Sequence, residues 1–287
     1  MAAAGSAPSA AAELECRLDR FHVTTSAEFG PRILGFWKEG SPPLFARLGP
    51  EAVIDTGAGP VHLRGGHRLW ASPEIPSLTH LPDDRPVQAT CEEGVLRVAA
   101  PADGAGFAKE LRVRAEDGGL TVEHRLRWTG PEPVRAGAWA ITQLPLGGAA
   151  FLPLPTGGSG YQADRSLVLW PYTDLTDPRI AFRREGVVVH ARAGAPLKLG
   201  VGPSPGRIGY LREGWLFIKT AEAAAEEEMP DRGAVGQVYC GEDFCELETL
   251  GPLATLLPGS ETGHRERWWV ERCEDEEAAL CLLGAGG

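Results

Sequence analysis

Four side chains that could bind or act on a small polar molecule lie within ten residues of the sequence. The segment Gly65–Glu74 reads Gly-Gly-His-Arg-Leu-Trp-Ala-Ser-Pro-Glu, which supplies an imidazole, a guanidinium, an indole and a carboxylate. An aromatic face that stacks on a sugar ring, with charged groups that bond to its hydroxyls, is the usual content of a carbohydrate site. The segment therefore predicts sugar binding through Arg68, Trp70 and Glu74. A surface turn with incidental charges is the alternative.

The backbone of this segment is predicted to be irregular. Gly65 and Gly66 can adopt angles that are closed to other residues, and Pro73 cannot donate to a sheet ladder. The pattern indicates a turn that leaves a strand. Such a turn could aim several polar side chains at one point.

A second group of candidates lies on a predicted strand late in the chain. Phe244, Glu246 and Glu248 are two residues apart, so they face the same side of that strand. Carboxylates are rarely found in a dry core, so this face is either solvent-exposed or lines a polar cleft. In a partly closed cleft, mutual repulsion would raise the pKa of one carboxyl group toward the neutral range that proton transfer needs.

The composition limits the classes of partner. The chain has 287 residues, of which 43% are hydrophobic and 23% are charged, so it can form a packed core. Its net charge of −11 argues against binding to nucleic acid or to an anionic membrane surface, because both require clustered Lys and Arg. No apolar run approaches the length of a membrane span.

The six cysteines have no CxxC spacing, and the histidines add no zinc pattern. We expect these cysteines to be small buried residues in the reducing cytoplasm. Residues 1–12 lack the positive charge and the Leu-rich stretch of a signal peptide, and they are expected to form a mobile tail.

The rest of the chain has the pattern of an all-β protein. Short segments such as Leu120–Trp128 alternate apolar and charged residues, and 37 glycines and 24 prolines separate them. Pro73–Pro86 is predicted to be a long loop, Ala221–Glu228 a short helix, and Ala278–Leu283 either a strand or a helix. No repeat is visible. We therefore expect one large antiparallel β-sandwich domain over residues 13–287, with very little helix.

The late acidic strand also resembles a known family. Leu247-Glu248-Thr249 and the following Leu257-Pro258-Gly259 are similar to the end of the galactose mutarotase (aldose 1-epimerase) superfamily. The resemblance is good over roughly residues 235–270, and the Gly-Gly-His-Arg-Leu-Trp segment is similar to a signature of a bacterial branch of that superfamily. The resemblance implies the β-supersandwich fold. It also makes Glu248 the candidate general base.

The resemblance implies mutarotation, which needs one base, one acid and neither a metal nor another cofactor. The acid in mutarotases is a mid-chain histidine, but the matching strand here, Ala138–Pro145, has no histidine and carries Gln143 near the expected place. An amide does not shuttle protons at neutral pH. His67 is therefore the candidate acid by analogy, and Trp139 and Gln143 are candidate substrate-binding residues.

Several further residues have both a binding and a structural interpretation. Arg64 precedes Gly-Gly, as an arginine does in hexose-6-phosphate epimerases of this superfamily, where it helps to hold the substrate; a surface salt bridge is the alternative. Asp174 and Arg179 could reach a ligand, or could stabilise their own turn. Lys198 and Lys219 each interrupt an apolar strand, and they either face outward by chance or line a pocket.

A metal site is not predicted, because the spacing of the nearest candidates does not require one. These candidates are His67, Glu74, His80 and His264.

Three functions remain open from the sequence. The first is a sugar-binding protein of carbohydrate metabolism that binds through Arg68, Trp70, Glu74, Trp139 and Glu248 without strong catalysis. The second is an aldose 1-epimerase or related sugar isomerase, with Glu248 as base, His67 as acid and Glu246 nearby. The third is a structural β-sandwich.

Overall fold

The computed structural model describes residues 13–155, 160–202, 206–222, 225 and 228–284. Residues 1–12, predicted to form a mobile tail, lie outside the described residues, and so does part of the predicted helix Ala221–Glu228.

The first half of the described chain contains the following elements: β1 (Glu13–Leu18), β2 (Phe21–Ser26), β3 (Arg32–Lys38), β4 (Val53–Thr56), β5 (Gly59–His62), β6 (Gly66–Ser72), α1 (Pro76–Thr79), β7 (Gln88–Glu92), β8 (Val95–Ala100), β9 (Phe107–Glu116), β10 (Gly119–Trp128), β11 (Val134–Pro145) and β12 (Ala149–Pro153). The second half contains β13 (Ser166–Leu169), β14 (Ile180–Phe182), β15 (Gly186–His190), β16 (Leu197–Gly202), β17 (Arg207–Arg212), β18 (Trp215–Ala221), a 3-10 turn (Asp231–Gly233), β19 (Gly236–Cys240), β20 (Phe244–Leu250), β21 (Ala254–Leu256), β22 (Glu261–Arg272) and α2 (Glu276–Gly284).

Across the described residues, the strands form two ten-stranded antiparallel sheets and a small hairpin, β4–β5. The front sheet has the order β1-β2-β3-β6-β11-β20-β19-β16-β13, and β21 pairs with β11. The back sheet has the order β14-β15-β12-β17-β18-β22-β10-β9-β8-β7. The predicted all-β sandwich is confirmed.

The core lies between the two sheets and is built by alternation along each strand. In β10, Leu120, Val122 and Leu126 are fully buried, whereas Glu123 and Arg125 are on the other face and less buried. Aromatic rings join the layers: Phe36 of the front sheet lies 5.3 Å from Trp268 of the back sheet, measured between ring centroids. Burial of such large apolar side chains is the main favourable term in folding.

Two local predictions differ from the structure. The segment after Gly65 does not leave a strand: Gly66–Ser72 is itself β6, in the middle of the front sheet between β3 and β11. The loop Pro73–Pro86 contains the short helix α1, which starts with Pro76 at a position where a missing N–H is harmless. Ala278–Leu283, which the sequence predicted to be either a strand or a helix, lies in the helix α2.

The expectation that all cysteines are free and buried is wrong for three of them. Cys16 of β1 and Cys91 of β7 form a disulfide with a Cα–Cα distance of 5.7 Å, and Cys281 is exposed. β1 and β7 are edge strands of different sheets, so the bond ties the two layers together at one side. Their 75-residue separation in sequence gave no indication of this contact. Within the described residues, no helix is long and apolar enough to cross a membrane.

Candidate functional site

A pocket of about 360 Å³ opens on the outer face of the front sheet, which is the face turned away from the back sheet. Its wall is formed by five adjacent strands, β6, β11, β20, β19 and β16. Antiparallel register places residues of neighbouring strands side by side: Arg68 is opposite Ile141, which is opposite Glu248. Alternation along each strand turns every second side chain to this wall.

The two opening glycines allow β6 to approach the neighbouring chain. Gly65 and Gly66 have φ angles of 81° and 75°. A Cβ atom on Gly66 would lie 2.2 Å from the carbonyl oxygen of Ile33, so only glycine fits there. The conformational freedom predicted for this pair is therefore needed at the start of β6, the strand whose outer face carries Arg68 and Trp70.

Glu248 is anchored in the pocket through one of its two carboxylate oxygens. Its Oε2 accepts hydrogen bonds from Trp139 Nε1 and from Lys198 Nζ, both at 2.7 Å. The Lys198 ammonium also lies 4.6 Å from the ring centroids of both Trp139 and Trp170. Among the described residues, no donor contacts Glu248 Oε1. This carboxylate therefore has a fixed orientation and one oxygen that a ligand could use.

Glu246, two residues earlier on the same face, is held in the same way by other partners. Its Oε1 accepts from Arg68 Nη2 at 3.1 Å and from Gln143 Nε2 at 3.0 Å. No donor in the described part of the chain contacts Oε2. Burial raises the pKa of Glu246 to about 7; the Arg68 charge opposes this shift and the Glu248 charge adds to it. Glu246 is thus partly protonated near neutral pH.

Aromatic side chains form much of the remaining wall. The rings of Trp70 and Trp139 meet edge to face with centroids 5.7 Å apart, and Arg68 lies 4.1 Å from the centroid of the Trp70 ring. Tyr172 and Tyr239 also line the pocket. At its edge, His80 Nε2 lies 2.9 Å from Glu74 Oε1, and this hydrogen bond holds the pKa of Glu74 below its usual value. Apolar faces and fixed polar groups therefore occur together, as in a small-molecule site.

The prediction that His67 shares this pocket with Glu248 was wrong. Because β6 is a strand, His67 points to the opposite face from Arg68 and is fully buried between the two sheets. Its Nδ1 lies 2.8 Å from Thr142 Oγ1, and its Nε2 lies 2.7 Å from His124 Nε2. A ligand in the pocket would be separated from this imidazole by the sheet itself.

His67 belongs instead to a buried polar cluster, formed by His67, His124, His264, Lys219 and Glu266. Lys219 Nζ lies 2.7 Å from Glu266 Oε1. Trp268 Nε1 donates to Glu266 Oε2, also at 2.7 Å. Burial lowers the pKa of all three imidazoles, that of His264 to about 3, so they are neutral at pH 7.

The polar groups of this cluster have protein partners and do not require a metal ion. Ligand atoms of His67, His124 and Glu266 lie within 4.8 Å of one another, which is close enough to consider one. However, Lys219 already neutralises Glu266. His124 Nδ1 lies 3.1 Å from the His264 carbonyl and donates to it, which leaves His124 Nε2 free to accept a hydrogen bond from the N–H at His67 Nε2. One proton on each ring therefore satisfies both histidines.

Three other predicted site residues lie outside the pocket. Arg64 pairs with Asp84 and lies 4.0 Å from the ring centroid of Phe29. Asp174 accepts from the backbone N–H of Thr176 at 2.8 Å, which is the alternative that the sequence left open. Arg179 pairs with Asp177 at 2.7 Å and donates to backbone carbonyls, so it is also structural.

Most of the predicted binding residues therefore line or support the pocket, together with others that the sequence did not assign to a binding site. The predicted ones are Arg68, Trp70, Glu74, Trp139, Glu246 and Glu248, with Gln143 beneath them as a partner of Glu246. The added ones include Lys198, Tyr172, Tyr239 and His80. A lysine inside an apolar strand was the available signal for Lys198, because such a charge needs a nearby acid.

Comparison with protein-family models and with curated proteins found no match. Solved structures do match. Slr1438 from Synechocystis sp. PCC 6803 superposes with a TM-score of 0.59 at 13% identity, covering 95% of this chain and 100% of its own. A proposed aldose 1-epimerase from Escherichia coli K12 gives 0.56 at 13% identity, covering 91% and 99%. A galactose mutarotase related enzyme from Lactobacillus acidophilus gives 0.51 at 10% identity, covering 92% and 99%. The chain has the galactose mutarotase-like fold.

Proposed function

We propose that this protein binds an aldose or a related sugar derivative in the pocket of the front sheet. The observation that carries this proposal is the pairing of Glu246 and Glu248, each with one oxygen anchored and one open, beside the indoles of Trp70 and Trp139. Its occurrence in a galactose mutarotase-like fold supports the proposal further.

The chemistry of a sugar matches this wall. A pyranose has apolar C–H faces that pack on indole rings, and hydroxyls that both donate and accept. The open oxygens of Glu246 and Glu248 can accept from hydroxyls, and protonated Glu246 can donate. A cavity of about 360 Å³ is at the lower end of the range for small-molecule sites, which suits one sugar unit better than a chain of them.

Aldose 1-epimerase activity is the second candidate function. The observation that favours it is the unequal environment of the two carboxyl groups: Glu248 is ion-paired with a lysine, whereas Glu246 has its pKa raised to about 7. A reaction with one acid and one base requires two groups in different environments at one site.

Binding is tested by ligand-observed NMR and thermal shift of the full chain with D-glucose, D-galactose, their 6-phosphates and D-glucuronate. We expect at least one of them to raise the melting temperature at millimolar concentration, and Glu248→Gln to remove that shift. Glu276→Gln is the matched control, because Glu276 pairs with His190 at 2.8 Å away from this pocket. No response to any of these compounds would contradict the proposal. Polarimetry of the same sugars tests the second candidate, with buffer as reference.

A further inference from the structure

We propose that Glu246 is the proton donor to the ring oxygen of an aldose bound in the pocket. It would act together with Glu248, which the family resemblance already makes the candidate base for the anomeric hydroxyl. The proposal deepens the proposed function and rests on it, because it assigns the acid of the epimerase reaction to a residue of the same wall.

The first support is the matching geometry of the two carboxyl groups. They stand two residues apart on one face of β20, so their Cα atoms are about 6.6 Å apart. Each has one oxygen held by two donors, at 2.7 Å for Glu248 and at 3.0 and 3.1 Å for Glu246. The other oxygen of each is free of donors among the described residues. Two fixed side chains therefore present two open oxygens to one cavity.

The second support is the difference between the anchors. Glu248 forms an ion pair with Lys198 and accepts from the Trp139 indole, both at 2.7 Å. Glu246 faces a longer contact with Arg68 and a neutral amide, and burial raises its pKa to about 7. When Glu246 takes up a proton, Oε2 is the oxygen left to carry it, and Oε2 is the one that has no protein partner in the described chain.

The charged and titratable groups around Glu246 come from four strands of the wall (β6, β16, β19 and β20), from the β19–β20 turn and from the segment before β14. These groups are Arg68, Lys198, Tyr239, Glu242, Asp243, Glu248 and Tyr172. Lys198 and Arg68 lower the pKa of Glu246, whereas the Glu248 charge raises it. Burial is the largest of these effects, so it decides the direction of the shift.

Other candidate acids fit less well. His67 is on the far side of the sheet, in the buried polar cluster. Burial raises the pKa of Tyr239 to about 12, so its hydroxyl is a poor donor to an ether oxygen at neutral pH. Gln143 does not ionise. Burial likewise raises the pKa of Tyr172, which also lines the pocket. His80 is a further competitor; its Nε2 is engaged by Glu74 at 2.9 Å at the edge of the pocket.

The reaction balances with these two groups alone. Glu248 removes the proton from the anomeric hydroxyl while Glu246 gives its proton to the ring oxygen, the bond between C1 and the ring oxygen breaks, and the open-chain aldehyde forms. Rotation about C1–C2 presents the other face of the aldehyde. On ring closure the ring hydroxyl returns its proton to Glu246, and the new anomeric oxygen takes its proton from Glu248. Both carboxyl groups end in their starting states.

The experiment measures mutarotation by polarimetry with the full chain and the sugar that binds best in the panel above. Glu246→Gln is expected to lower kcat by about 100-fold or more, the usual effect of losing a general acid, while KM changes by less than about threefold. In the wild type, kcat/KM should fall as pH rises above about 7, because the acid loses its proton, and this limb should be absent in Glu246→Gln. Glu123→Gln is the matched control, because Glu123 pairs with Arg114 on the outer face of the back sheet.

Two further measurements separate a proton-transfer role from a structural one. Glu246→Asp keeps a carboxyl group and should retain more activity than Glu246→Gln. Acetic acid added to Glu246→Ala should restore part of the rate, since a small acid can occupy the vacated space. Circular dichroism and NMR binding identify any variant that fails to fold or to bind.

The possible results test the assignment of Glu246 and the proposed sugar binding separately. Loss of kcat with retained sugar binding in Glu246→Gln supports the assignment. Full activity in Glu246→Gln, or loss of activity in His80→Gln alone, overturns it and assigns the acid elsewhere. A wild type that binds sugar without accelerating mutarotation overturns the assignment but leaves sugar binding intact. A wild type that binds none of the sugars ends the proposed function as well.

Discussion

Lys198 Nζ lies 2.7 Å from Glu248 Oε2, and only 4% of Lys198 and 1% of Glu248 is exposed. The ammonium is also flanked by two indole rings, so it has little freedom to move away. An ion pair of this kind is costly to desolvate, and removing one partner leaves the other charge buried alone. We therefore interpret Lys198 as the fixed counter-ion that orients Glu248 toward the pocket.

Replacing Lys198 by Met should lower the free energy of unfolding by about 3–5 kcal/mol, because Glu248 loses its partner. The double variant Lys198→Met with Glu248→Gln should lose less than the sum of the two single variants. Urea unfolding at pH 7 measures both effects. Lys38→Met is the control: Lys38 pairs with Glu271 at 3.6 Å near the surface, and we expect a change of at most about 1 kcal/mol. Equal losses for both lysines would contradict the interpretation.

Trp139→Phe keeps an aromatic face but removes the indole N–H that donates to Glu248 at 2.7 Å. A hydrogen bond to a charged group contributes about 1.5–3 kcal/mol. We expect sugar binding to weaken by about tenfold, because the carboxylate loses part of its orientation. Titration by NMR measures this change. Trp37→Phe is the matched control, since that indole stacks on His22 outside the pocket, and it should leave the affinity unchanged.

Period-two alternation in the sequence was sufficient for the fold class and for the late acidic strand, and the residue types of the Gly65–Glu74 segment together with the family resemblance indicated most of the remaining pocket wall. Phe244, Glu246 and Glu248 follow that rule, and the rule placed them correctly on one face. His67 was misplaced because Gly65-Gly66 and Pro73 suggested an irregular turn, whereas Gly66–Ser72 is a strand in which adjacent side chains point to opposite faces. The pairings of Lys198 with Glu248 and of Cys16 with Cys91 join residues far apart in the chain. Local patterns contain no information about which distant partner a charge or a thiol will meet.

The protein should lose stability in mild acid. The folded state keeps the three imidazoles of the buried cluster neutral, whereas the unfolded chain protonates them below their usual pKa near 6.5. Each such group lowers the free energy of unfolding by up to about 1.4 kcal/mol per pH unit below that value. Glu246 stabilises the folded state as the pH falls below about 7, because its pKa in the folded state is raised. Taken together, the three imidazoles and Glu246 give a net uptake of about two protons on unfolding.

Urea midpoints at pH 7.5, 6.5 and 5.5 measure this acid sensitivity. His264→Asn should reduce the slope by about one proton, because the asparagine does not titrate. Equal stability at pH 7.5 and 5.5 would mean that the buried imidazoles are not kept neutral.

Breaking the Cys16–Cys91 disulfide should destabilise the fold. Closing a loop of 75 residues removes chain entropy from the unfolded state that corresponds to about 4 kcal/mol at 25 °C. Urea unfolding with and without a reductant, or of the variant with both residues changed to Ser, measures this loss. Cys281→Ser is the control because that thiol is free and exposed. Titration of six thiols in unreduced, denatured protein would show that the bond does not form.

The opposite faces of β6 and its neighbours have a further consequence for folding. A slip of β6 by one residue against β11 would bury Arg68 among apolar side chains and turn His67 away from Thr142 and His124. Both faces would then contain polar groups without partners, which is a large free-energy penalty. The ion pairs on one face and the imidazoles on the other thus specify the pairing register of the central strands. They disfavour misaligned pairings that hydrophobic residues alone would tolerate.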